Sequence, residues 1–135
     1  MVFLLDTNAF SDLMRRRPKT EARLSSLEAT DTVVTCTIVR GEILYGIQKL
    51  SAGRRQKELL EQAAPLFEAL SCEIVSHEAA DHYANVKIAR ERAGLALDEN
   101  DLWIAATALA LGAVLVTRDQ DFQRIGGLTV QNWED

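Results

Sequence analysis

The chain has 135 residues, 47% of them apolar and 26% charged, with a net charge of −5 at neutral pH. That length suits one domain over residues 1–135, able to bury roughly two-thirds of its unfolded surface, so it needs neither a disulfide nor a structural metal to fold. The acidic balance argues against strong non-specific binding to nucleic acid, which rests on lysine and arginine against phosphate.

Residues 2–5, Val-Phe-Leu-Leu, read as a short buried strand ending at Asp6. A helix follows over Asn8–Met14, with Asp6 or Thr7 able to cap it. Pro18 breaks the pattern, and Thr20–Leu27 reads as a second short helix. Thr32–Thr35 is rich in β-branched residues and reads as a strand. Thr37–Leu50 reads as a helix with Ile38, Val39, Ile43, Ile47 and Leu50 on one side. Arg54–Leu70 is helical, with Pro65 expected to kink or divide it. Glu73-Ile74-Val75 reads as a strand. Ser76 is a good N-cap for a long helix to Arg92, with Gly94 as its stop. Asp98 can cap the next helix, which ends at Gly112. Val114–Val116 is a strand, Asp119–Arg124 a helical turn and Leu128–Val130 a last strand. Strands alternating with helices indicate βα units, hence an α/β fold with a twisted, mostly parallel sheet of about five strands flanked by helices.

In such a sheet the carboxyl ends of the strands share one crevice. Four acids fall near strand ends or helix starts: Asp6, Glu42, Asp101 and Asp119. Carboxylates brought together cannot all stay ionised unless something neutralises them, and a hard divalent cation with oxygen ligands does so. The pattern therefore points to a Mg²⁺ or Mn²⁺ site. Thr7 and Asn8 can hydrogen-bond Asp6 or a water beside it. Asp98 and Asp101 are three apart on one helix face; Asp101 is the preferred ligand, with Asp98 in reserve. Asp119 is preferred over Asp121, which can cap the turn that buries Phe122. Thr117 can orient a water or a phosphate. Arg40 and Arg118 flank the expected site and are candidate substrate contacts. The clusters Arg15-Arg16-Arg17 and Arg54-Arg55-Gln56-Lys57 read equally well as solvated helix faces.

Several chemistries are excluded. His77 and His82 have no neighbouring cysteine pattern and make no zinc site. There is no glycine-rich dinucleotide or P-loop motif and no nucleophile elbow. Cys36 and Cys72 form no Cys-x-x-Cys pair and are expected to be reduced, as in the cytoplasm. The four apolar residues before Asp6 are too few for a signal peptide or a spanning helix.

Four segments together resemble a PIN-domain ribonuclease, above all the VapC toxins of bacterial toxin–antitoxin pairs. They are Leu4-Leu5-Asp6-Thr7-Asn8, Arg40-Gly41-Glu42-Ile43-Leu44-Tyr45-Gly46, Asp101-Leu102-Trp103-Ile104-Ala105-Ala106-Thr107-Ala108 and Val116-Thr117-Arg118-Asp119-Gln120-Asp121-Phe122. The resemblance implies metal-dependent cleavage of RNA, with Asp6, Glu42, Asp101 and Asp119 around one or two Mg²⁺ or Mn²⁺ ions. It also implies a homodimer and a small cognate antitoxin. Two other readings compete. An aspartyl-nucleophile phosphatase would need an acid where Asn8 stands. A non-catalytic receiver-like or degenerate PIN module fits poorly with four intact acids and no late lysine.

Overall fold

The computed structural model describes residues 1–135. Its strands are β1 (Val2–Leu5), β2 (Thr32–Cys36), β3 (Ser71–Glu73), β4 (Val114–Val116) and β5 (Thr129–Gln131). Its helices are α1 (Thr7–Met14), α2 (Pro18–Ser25), α3 (Thr37–Gln48), α4 (Arg54–Ala69), α5 (His77–Arg92) and α6 (Glu99–Leu111), with a 3₁₀ turn at Gln120–Phe122. The five strands form one sheet in the order β3-β2-β1-β4-β5, every neighbouring pair parallel.

The topology follows from burial. Phe3, Leu4 and Leu5 of β1 and all of β4 are buried, the continuous apolar pattern of strands covered on both faces. β1 lies at the centre, paired with β2 on one side and β4 on the other. The chain moves outward from β1 through β2 to β3, then crosses to β4 and β5. The strand order therefore reverses beside β1, and the crevice beyond the ends of β1 and β4 is where an α/β sheet places its chemistry. α5 packs along α6, and α1, α3 and α4 pack on one another. No helix is long and apolar enough to cross a membrane.

Most element expectations hold. Ser76 caps α5 by accepting from the Ala79 amide, Asp98 caps α6, and Gly112 ends α6 in the left-handed region at φ 62°. Four details differ. Pro18 separates α1 from α2 as expected, but α2 begins at Pro18 itself rather than at Thr20, in the first turn, where its missing N–H costs nothing. Pro65 does not divide α4, which runs unbroken from Arg54 to Ala69 with Pro65 on its exposed side. β3 occupies Ser71–Glu73 rather than Glu73–Val75. Pairing with Val34–Cys36 of β2 sets its register, and Ile74 is left 72% exposed, so ladder position outweighs β-propensity here. β5 lies one residue later than expected, with Val130 opposite Leu115.

Candidate active site

The crevice is built from three chain segments that end or begin at its floor. The first is the β1 to α1 junction. Asp6 is 3% exposed, and its backbone N–H donates to the Val116 carbonyl at 3.0 Å, tying the exit of β1 to β4. Its Oδ1 accepts from the Ala9 amide at 2.8 Å, which makes Asp6 the N-cap of α1. Burial pushes the Asp6 carboxyl up to about 6; the Thr117 hydroxyl and the Ala9 amide pull it down, and Asp119 and Asp12 add to the rise.

The second segment is α3. Glu42 is half-buried one turn and a half into the helix, and the Thr7 hydroxyl donates to its Oε1 at 2.6 Å. That bond joins the residue after Asp6 to the second acid of the cluster. Clefts open on both sides of Glu42. One is lined by Ser11, Arg15 and Arg55, the other by Thr37, Tyr45, Lys49 and Asn100, and Thr7 borders both.

The third segment brings the start of α6 to the exit of β4. Asp98 is exposed, and its Oδ2 accepts from the Asn100 amide at 3.2 Å. Asp101 sits a turn further in, half-buried. Its carboxyl is pushed up to about 7, first by burial and then by the negative charges of Asp98, Glu42, Asp119 and Asp6. Asp101 thus lies within electrostatic reach of the other three expected acids, Asp6, Glu42 and Asp119. At the β4 exit, Thr117 is buried and its hydroxyl accepts from the Asp119 amide at 3.0 Å. Asp119 in turn accepts from the Asp121 amide at 2.9 Å and caps the 3₁₀ turn that buries Phe122.

Among the other expected contacts, Asn8 is exposed on α1. Arg40 lies with its guanidinium 4.4 Å from the centre of the Phe67 ring. Arg118 is committed elsewhere: Nε and a terminal nitrogen reach both oxygens of Asp12, at 2.9 and 3.1 Å. Asp12 is 1% exposed and escaped the sequence reading. The signal for it was an acid set between Phe10 and Leu13-Met14, where an amphipathic helix turns inward.

None of Asp6, Glu42, Asp101 or Asp119 forms an ion pair with a lysine, arginine or histidine. The donor set is all oxygen, half-buried and short of positive charge, which is the chemistry of a hard divalent cation site. The side chains do not form a ready-made cage, since no three acidic, histidine or cysteine groups stand close enough together to hold an ion.

Residues 3–128 match the family described as PIN domain. The chain is 35% identical over 138 residues to Ribonuclease VapC1 of Haemophilus influenzae (strain R2866), covering 98% of each chain. Its fold matches that of a chain in VapBC2 from Rickettsia felis bound to a DNA fragment from their promoter, with a TM-score of 0.89 and 27% identity over 98% of this chain and 99% of that one. VapBC-1 from nontypeable Haemophilus influenzae gives a TM-score of 0.87 and 31% identity over 100% of both chains.

Proposed function

The chain belongs to the PIN-domain family, and we propose that it is an endoribonuclease of the VapC toxin type, acting on RNA phosphodiester bonds with Mg²⁺ or Mn²⁺. The observation that carries this reading is that Asp101 lies within electrostatic reach of Asp6, Glu42 and Asp119 beside the β1/β4 switch point, with no ion pair from a protein cation to any of the four. The similarity over nearly the whole length to a protein named as a ribonuclease supports the reaction class.

Asp6 and Asp101 would be the principal metal ligands, with Glu42 and Asp119 completing the oxygen set and Asp98 nearest in reserve. Closing on an ion asks these side chains to rotate together. A divalent cation held there supplies Lewis acidity and a ready hydroxide source at neutral pH. The chain's own residues do the rest. Thr117 and the Ala9 amide fix the orientation of Asp6. Thr7 holds Glu42 at the floor between the two clefts, where its carboxylate can take a proton from an attacking water. An RNA strand laid across Glu42 would meet Arg15 and Arg55 in one cleft and Lys49 in the other, cations suited to phosphates on either side of the cut. Arg40 stands at the same helix and is a further candidate for phosphate contact.

The whole chain is read as one domain working in the cytoplasm as a homodimer under the control of a small antitoxin. The likeness to VapBC structures supports the antitoxin. Exposed apolar side chains such as Tyr45, 68% exposed, and Ile88, 44% exposed, offer surface for partners. The test is incubation of total cellular RNA with the antitoxin-free protein and Mg²⁺ or Mn²⁺, beside an EDTA control and Asp101→Ala. Discrete products that need both metal and Asp101 are expected; a folded, metal-supplied protein that leaves the pool intact overturns the reading.

A further inference from the structure

Arg90 is a buried arginine that the site does not use directly. It lies near the end of α5, 7% exposed, and all three of its hydrogen bonds go to main-chain carbonyls rather than to a carboxylate: Leu95 at 2.6 Å, Gln123 at 3.0 Å and Asp121 at 3.0 Å. Burying a guanidinium is costly and stands only where its donors are well satisfied. Here two of the three acceptors belong to the loop that carries Asp119 and the third to the segment leading to α6.

The connection to Asp119 is one residue long. The Asp121 carbonyl accepts from Arg90, and the Asp121 amide donates to Asp119 Oδ1 at 2.9 Å. The second loop contact acts on the backbone directly. Arg90 orients the peptide that joins Gln123 to Arg124, and Arg124 takes φ 66°, a left-handed conformation that a non-glycine residue holds only when its surroundings dictate it. Leu95, the remaining acceptor, lies in the segment leading to α6, whose first turn carries Asp101. One side chain thus joins the two segments that deliver the third and fourth acids.

We propose that Arg90 is a positioning residue for the active site, setting the β4 exit loop so that the Asp119 carboxylate faces the other three acids. The proposal rests on the metal-dependent reading of those acids.

Its test uses Arg90→Lys, which keeps the charge but cannot span three carbonyls, and Arg90→Met, which keeps the bulk and removes every donor. Amide hydrogen exchange on the metal-free protein should quicken at Asp121 and Gln123 in both variants while the α5 amides stay protected. Mn²⁺ affinity, read by electron paramagnetic resonance of the free ion, should weaken about 10- to 100-fold, as for other groups that orient a ligand. In an Asp119→Ala background, Arg90→Lys should weaken it little further. Unchanged exchange at Asp121, or losses that simply add to those of Asp119→Ala, would overturn the proposal. If wild type neither binds Mn²⁺ nor cleaves RNA, the functional reading fails, and the exchange measurement still decides whether Arg90 sets the loop.

Discussion

The Thr7 hydroxyl lies 2.6 Å from Glu42 Oε1, so the residue next to the most buried acid of the site also holds the acid on α3. Thr7→Val keeps the shape of the side chain and removes the donor. It is expected to lower kcat for RNA cleavage about 10- to 100-fold, the usual cost of losing a group that orients a catalytic side chain. Thr7→Ser should retain most activity. Steady-state kinetics beside thermal unfolding would check this, and a variant equally impaired by Val and Ser would count against the hydroxyl.

The raised Asp6 carboxyl has a consequence for stability. Between about pH 4 and 6 the unfolded chain has lost this proton while the folded chain keeps it, so the folded state binds more protons and stability falls as pH rises. The shift from 3.8 to about 6 corresponds to at most about 3 kcal/mol at neutral pH. Asp101, pushed to about 7, extends the same decline upward in pH. In metal-free buffer Asp6→Asn should therefore match wild type near pH 4 and exceed it at pH 7. Chemical denaturation at both pH values would show it, and equal stabilities at pH 7 would contradict it.

Arg118 is 41% exposed and grips an Asp12 side chain that is 2% exposed, with Arg17 a further 4.0 Å contact. Arg118→Ala should destabilise the fold by about 1–3 kcal/mol, less than the full cost of breaking a buried pair because the arginine is partly solvated. KM for RNA should stay near the wild-type value. A KM rise with unchanged Tm would instead return Arg118 to the substrate.

Much of this architecture was legible in the sequence because apolar runs and caps carry it. The buried runs Phe3–Leu5 and Val114–Val116, the Ser76 and Asp98 caps and the Gly112 stop all follow from local rules. The position of the acids was legible for the same reason: Asp6 and Asp119 lie just beyond strands, and Asp101 just inside a capped helix. What escaped depends on partners distant in sequence. β3 took its register from β2, against the preference of Ile74-Val75. Asp12 and Arg118 are 106 residues apart, and Arg90 reaches its loop across 31 and 33 residues. Pro18 separated two helices as its sequence suggested but proved to be the first residue of the second, and Pro65, exposed on α4, did not divide that helix.

The central claim is that Asp6, Glu42, Asp101 and Asp119 act as one set around a divalent ion. Mn²⁺ binding to the antitoxin-free protein, followed by electron paramagnetic resonance, tests it most directly, with Asp6→Asn, Glu42→Gln, Asp101→Asn and Asp119→Asn beside wild type. The account predicts saturable binding by wild type, lost or strongly weakened in Asp6→Asn and Asp101→Asn and reduced in the other two. Wild-type binding that survives both Asp6→Asn and Asp101→Asn would contradict it.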